Sequence, residues 1–310
     1  MGGREMVSIG SLCTGYGGLD MGLQSVIGGE VLWQFEYDKH ASKILKHNHP
    51  HIPNHGDITA TDWDLPRVDW LTAGYPCQPF STAGKRKGTD DARHIWPYIK
   101  DAIRVLRPRG VLLENVAGHL SLGFGQVLGD LAAIGYDARW VCVRAADAGA
   151  PHSRKRLFIV ANPEGNQQRK SAVRTVRTES GHGVGITSDT YRLNDGQGRS
   201  ARMGTSITDD ARQFADSIAG VSVAGDAIKN DPFGEFAQAV NRWTIIMGRP
   251  APQPLTNRRL EPAFVEWMMG LQPGWVTDVS IGRDAKLKAL GNGVVPQQAA
   301  LALRLMGIGQ

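Results

Sequence analysis

Along residues 7 to 161, short apolar runs alternate with stretches whose apolar positions recur every three or four residues. The runs at 7–12, 31–36, 70–73, 111–114, 140–144 and 157–161 predict β-strands, and helical patterns begin near Leu19, Ala41, Ile95 and Phe124. Ile95, Ile99, Ile103 and Leu106, for example, share one helical face. Strand–helix alternation of this kind predicts an α/β domain with a largely parallel sheet covered on both faces. After Asn162 and Pro163 the texture changes. Residues 164–230 are rich in Gly, Ser, Thr, Asp, Asn and Arg, which predicts a second, irregular domain or a set of long loops. Order returns at 233–247, followed by a proline-rich hinge at 248–254 and helices at 262–269 and 297–306. No internal repeat is present.

With 310 residues, 41% hydrophobic and 21% charged, the chain can bury a sizeable core and does not read as disordered. No apolar run approaches the ~20 residues of a membrane helix. The opening MGGREMVSIG lacks a signal-peptide apolar stretch, and Met6 stands where myristoylation wants Ser or Thr. Cys13, Cys77 and Cys142 are odd in number and show no C-x-x-C spacing, so neither a disulfide framework nor a zinc ribbon is expected. A cytoplasmic chain without a membrane partner fits these features. The net charge is +5, but its distribution says more than the total. From Arg154 to Arg202 there are ten basic against four acidic residues, leaving 25 against 26 elsewhere. One stretch thus carries the basic excess, as a polyanion-binding segment would. His40, His47, His49, His51 and His55 also cluster, but they lack a nearby Cys and zinc-like spacing; a solvated loop is expected and no metal.

Chemistry concentrates at the strand ends. The first strand runs into Thr14, Gly15, Tyr16, Gly17, Gly18 and Leu19, where glycines let backbone amides approach a ligand. Glu36 follows Gly15 by 21 residues at the end of the next strand, the place of an acid that holds a ribose diol. The next strand ends in Gly74-Tyr75-Pro76-Cys77-Gln78-Pro79-Phe80-Ser81, before the polar run AGKRKG. A cysteine at that edge, beside a loop suited to phosphates, reads as a thiolate nucleophile rather than core filler. Glu114, in Glu114-Asn115-Val116, ends another strand as a helix-capping carboxylate or a catalytic acid. Arg154 and Arg156, two apart, point the same way on extended backbone and could together hold a phosphate or a carbonyl.

In this order, these residues resemble the DNA cytosine-5 methyltransferase family. The match includes Gly15-Tyr16-Gly17-Gly18, Glu36-Tyr37-Asp38, Gly56-Asp57-Ile58, Pro76-Cys77-Gln78, Glu114-Asn115-Val116 and Arg154-x-Arg156. It continues through Arg259-Leu260, Glu266-Trp267-Met268-Met269-Gly270 and Gly291-Asn292-Gly293-Val294. The resemblance implies an S-adenosylmethionine-dependent, Rossmann-like methyltransferase fold with a mostly parallel sheet and a smaller DNA-recognition domain. Residues 1–161 would form the catalytic and cofactor-binding domain, 162–285 the target-recognition domain, and 286–310 a segment returning to the catalytic domain. The implied donor is S-adenosylmethionine, held by Thr14, Gly15, Gly17, Gly18, Leu19, Glu36, Tyr37, Asp57, Ile58, Pro76, Trp96, Asn292 and Val294. The implied substrate is a cytosine flipped out of double-stranded DNA, with Cys77, Glu114, Arg154 and Arg156 catalytic. Gln78, Ser81, Lys85, Arg86, Lys87, Arg169, Lys170, Arg174 and Arg177 would contact DNA, the lysines and arginines at phosphates. A monomer of bacterial or phage origin is implied, with room for a restriction endonuclease acting on the same site.

Several positions depart from the family pattern, beginning with Ser11-Leu12-Cys13 for Asp-Leu-Phe. Cys13 replaces the aromatic that packs on adenine, a surface Trp96 or Tyr37 would then supply; His152 replaces a glutamine; Gly293 replaces a serine beside the cofactor. The alternatives are an RNA cytosine-5 methyltransferase, whose Cys-Phe-Thr signature is missing here, a catalytically idle DNA-binding relative, and a nucleotide-cofactor oxidoreductase. The last leaves Pro-Cys-Gln and Glu-Asn-Val unexplained.

Overall fold

A computed structural model of the chain describes residues 6–76, 95–163 and 233–309. Cys77, Gln78, Ser81, Lys85, Arg86 and Lys87 lie outside the described residues, as do Arg169, Lys170, Arg174 and Arg177.

All six expected strands form one sheet: β1 Ser8–Leu12, β2 Glu30–Phe35, β3 Trp70–Gly74, β4 Gly110–Val116, β5 Tyr136–Val143 and β6 Arg156–Pro163. Their spatial order is β2-β1-β3-β4-β6-β5. The first four run parallel, while β6 is antiparallel to both β4 and β5. The chain leaves β1 for β2 on one side and then returns to β3 on the other. The crevice of an open α/β sheet lies at such a reversal, beyond the carboxyl ends of the strands. Here those ends carry the glycine loop after β1 and Pro76 after β3.

Side chains of alternate strand residues fill opposite faces, as the pleat demands. Leu113, Leu157 and Ile159 pack with Ile99 and Ile103 of α3 (Trp96–Leu106) and Leu131 of α4 (Phe124–Ala133). Leu112, Phe158 and Val160 pack on the other face with Leu19 and Leu23 of α1 (Gly18–Ile27). The expected last helix lies there too, at Pro296–Leu305, with Ala299 and Leu303 inward. It meets α1 closely: a Cβ on Gly22 would stand 2.6 Å from that of Ala299. α2 (Lys39–Asn48) starts at Asp38, whose carboxylate accepts from the amides of His40 and Ala41.

A separate core gathers α5 (Ala237–Met247) and α6 (Pro262–Met268) around Trp243, Phe264, Trp267 and Val276. Two elements here were not anticipated. Leu255–Thr256 and Arg259–Leu260 (β7 and β8) form a hairpin, closed by Asn257 and Arg258 at φ 50° and 61°. Two consecutive left-handed residues are what a type I′ turn requires. The helix Arg283–Asn292 (α7, the last helix being α8) buries only Leu290 and so shows no apolar stripe to read.

The α6–α7 connection is organised by Glu266. Its buried carboxylate accepts from the amides of Gly274, Val276 and Thr277 and from the Thr277 hydroxyl, at 2.6–2.9 Å. Glu266→Ala is expected to cost about 3 kcal/mol or more, because backbone donors lose a charged acceptor in a dry site. Urea unfolding measures it; a wild-type midpoint would show that the loop repacks without the carboxylate.

A second buried acid, Asp20, accepts hydrogen bonds from the hydroxyls of Ser11 (2.7 Å) and Thr72 across β1 and β3. Burial pushes its carboxyl up to about 6. The fold therefore favours the protonated acid. The stability tied to Asp20 is complete below about pH 4 and is lost as pH rises through 6. Asp20→Asn is expected to gain up to ~3 kcal/mol over wild type above pH 6 and nothing near pH 4. Parallel unfolding curves at both pH values test this, and a pH-independent difference would contradict it.

Candidate active site

The glycine loop turns sharply as it leaves β1. Gly15 and Gly17 sit at φ 63° and 89°, where a side chain would be strained, and Gly17 opens α1. A Cβ on Gly15 would meet nothing within 4 Å, so the loop borders open space. Beside that space, Glu36 accepts from the amides of Gly15 and Asp38, both at 2.7 Å. Burial raises its carboxyl, and these amides pull it back down. Each oxygen keeps a second lone pair for a ribose hydroxyl. Tyr37, next to it, is 79% exposed and presents a bare ring.

Thr14 is tied to the end of β2, its amide donating to the Phe35 carbonyl. Leu19 is in the core of α1 and Ile58 in that under the sheet. Asp57 caps the turn Ile58–Ala60 through the Thr59 amide. Pro76 and Asn292 are exposed, while Val294 is buried. Trp96 is placed differently from Tyr37. Its indole donates to Asp130 Oδ2 at 2.8 Å and its ring packs on Tyr75 in the core.

Across the crevice, parallel pairing sets Gly74 of β3 opposite Glu114 of β4. Gly74 is two residues before Pro76, so Glu114 stands beside the strand end that leads to Pro76. Asn115 fastens the same strand end: its Nδ2 donates to the Tyr75 carbonyl at 3.1 Å. The antiparallel entry of β6 brings Arg156 opposite Val116, and Arg156 Nε lies 3.1 Å from Glu114 Oε1. Both are almost fully buried. Burial raises the Glu114 carboxyl above its ordinary range; Arg156 and then Arg154 oppose that rise. A carboxyl raised by burial next to a guanidinium can donate to a ring nitrogen and hold the charge that develops.

Arg154 is buried at φ 32° and donates Nη2 to the Gly293 carbonyl. His152, two residues earlier, donates Nε2 to the Met268 carbonyl at 3.1 Å, tying the arginine segment to α6. Burial, then Arg154, push its imidazole down to about 3, so it stays neutral.

Two histidines of the 40–55 cluster go separate ways: His49 packs edge-on against Trp275, and His55 stacks on Phe35. Among the described residues no three His, Cys, Asp or Glu side chains converge as a metal would need. Nor is any described helix long and apolar enough to cross a membrane. Sequence reading assigned no task to Asn115 or Tyr16, both of which hold the site together. Their position inside motifs was the available signal.

A glycine loop facing an acid at the next strand end, with a buried acid–arginine pair across the switch point, defines the class of α/β enzymes that bind a nucleoside cofactor. Within that class the assignment is specific: residues 7–302 match the C-5 cytosine-specific DNA methylase family, and the chain belongs to it. Members use S-adenosylmethionine as methyl donor. The chain is 33% identical to the Type II methyltransferase M.BsuFI of Bacillus subtilis over 57% of its own length and 47% of that protein's. It is 37% identical to M1.ScrFI of Lactococcus lactis subsp. cremoris over 48% of itself and 40% of the relative. Each match thus spans less than half of the relative's length. Among solved structures, a DNMT2 mutant from Spodoptera frugiperda aligns with a TM-score of 0.62 at 16% identity, over 97% of this chain and 99% of that one. It shares the fold.

Proposed function

We propose that the chain transfers a methyl group from S-adenosylmethionine to C5 of a cytosine flipped out of a specific duplex DNA sequence, through a covalent bond from Cys77 to C6. The observation that carries this reading is the buried Glu114–Arg156 pair beside the strand end that leads to Pro76, in a chain of this family.

The open cradle at Gly15, the Glu36 carboxylate and the exposed Tyr37 ring fit a nucleoside with an aromatic base. Bound there, the cofactor supplies an electrophilic methyl on a sulfonium. Cytosine C5 alone is a poor nucleophile. Addition of the Cys77 thiolate to C6 breaks the aromaticity and leaves C5 enamine-like. Glu114 hydrogen-bonds N3 and the exocyclic amine as charge develops there; Arg156 holds O2, and Arg154 orients and supports the thiolate electrostatically. Transfer of the methyl to C5 would leave a neutral thioether on the donor; loss of the C5 proton to water and expulsion of Cys77 by β-elimination then restore the ring and the thiolate. Flipping the base out of the stack costs a few kcal/mol, and Lys85, Arg86 and Lys87 would help by holding phosphates.

We assign 1–161 to catalysis, 162–285 to target recognition and 286–310 to the return segment. Gln78 and Ser81, with Arg169, Lys170, Arg174 and Arg177, would meet DNA. A monomer acting in the cytoplasm of a bacterium or phage-infected cell, beside an endonuclease of the same specificity, completes the reading. The test is methyl transfer from tritiated S-adenosylmethionine to unmethylated duplex DNA and, separately, to transfer RNA. Label on duplex cytosine is expected; label on RNA alone, or none, would overturn the reading.

A further inference from the structure

Tyr16 stands between the two left-handed glycines of the cofactor loop, yet its side chain turns inward and is fully buried. The hydroxyl donates to the Val294 carbonyl at 2.7 Å. The Tyr16 carbonyl accepts from Trp275 Nε1 at 2.9 Å, in the loop that Glu266 organises. The ring fills the place a side chain at position 293 would need: a Cβ built on Gly293 would overlap three of its carbons. A Cβ on Gly18 would likewise run into the Val294 carbonyl. The Gly293 carbonyl is the acceptor for Arg154 Nη2, and Arg154 is held at φ 32°, a conformation few L-residues adopt without support. One ring therefore joins the glycine loop, the Gly293-Val294 turn and the arginine segment.

We propose that Tyr16 is a positioning residue of the methyl-transfer site: its ring and hydroxyl fix the Gly293-Val294 turn, and that turn fixes Arg154. The proposal rests on the reading of the site given above. It explains why glycine replaces serine at 293, since a serine Cβ and the Tyr16 ring would claim the same space. It also couples the two halves of the site. A cofactor that orders the backbone at Gly15 and Gly17 steadies Tyr16, and through Gly293 steadies Arg154 for the base. By linkage, a base held by Arg156 beside Arg154 favours the cofactor-ready loop equally. Burial drives the Tyr16 phenol upward, so it remains a donor at every working pH.

The test uses the full chain and four variants: Tyr16→Phe, Tyr16→Leu, Gly293→Ala, and Tyr16→Leu combined with Gly293→Ala. Urea midpoint, S-adenosylmethionine dissociation constant and single-turnover rate on unmethylated plasmid DNA are measured for each. Tyr16→Phe is expected to stay folded and bind cofactor within about threefold of wild type. Its single-turnover rate at saturating cofactor should fall about 10-fold, because the turn that places Arg154 loses its tether. A role in folding alone would not produce that split. Gly293→Ala is expected to lower the midpoint and weaken cofactor binding about 10-fold or more, and Tyr16→Leu in the same chain should restore much of both. A wild-type rate for Tyr16→Phe would overturn the proposal. So would a harmless Gly293→Ala, or a double variant no better than Gly293→Ala alone. If the wild-type chain transfers no methyl to cytosine, the functional reading falls. The midpoints then still decide the contact: non-additive values uphold it and additive ones refute it.

Discussion

Cys77→Ser is expected to abolish methyl transfer while leaving S-adenosylmethionine binding within a few-fold of wild type. A hydroxyl at neutral pH is a far weaker nucleophile than a thiolate, and the cofactor cradle is built from other residues. The chain has three cysteines, and the other two are unsuited to the task. Burial, with Glu36 nearby, pushes the Cys13 thiol up to about 12, and burial also raises Cys142 on β5. Both stay protonated and inert. Cys142→Ser, in contrast to Cys77→Ser, should therefore retain transfer. A duplex carrying 5-fluorocytosine at the target site should trap a denaturant-resistant adduct with wild type and none with Cys77→Ser, since fluorine does not leave as a proton does. Appreciable turnover by Cys77→Ser would remove Cys77 from the mechanism.

The second large effect belongs to Glu114. Glu114→Gln keeps a side-chain carbonyl for Arg156 to donate to, so the 3.1 Å contact can survive in altered form. It removes the acidic proton that burial holds on the carboxyl more firmly than water would. The single-turnover rate is expected to fall by roughly 10²-fold or more, the scale of a lost general acid, with little change in DNA affinity. A variant that bound DNA poorly yet reacted at the wild-type rate would make Glu114 structural.

The parts of this fold legible in the sequence were those where local pattern and tertiary demand agree. β4 and β6 are apolar on both faces because helices cover both, and Ile99, Ile103 and Leu106 carry the inner face of α3. The strand-end motifs were legible because strand ends are where this architecture places its chemistry. α7 was not, since a helix that buries one residue leaves no periodic trace. Its C-terminus nevertheless leads into Gly293, whose carbonyl accepts from Arg154. The task of Tyr16 was hidden for a different reason. In the sequence it is one aromatic among glycines, and the partner that explains it, Gly293, is remote in the chain and marked only by a missing side chain. Trp96 was expected as a cofactor surface in place of the aromatic missing at Cys13; its indole donates to Asp130, a contact across α3 and α4 that no local pattern announces.

Bisulfite sequencing of DNA from cells expressing the chain, beside cells expressing Cys77→Ser, reads out cytosine methylation and its dependence on Cys77 together. Methyl transfer through Cys77 predicts protected cytosines at one recurring sequence in the first DNA and none in the second. Uniform conversion in both, or equal protection in both, would contradict it.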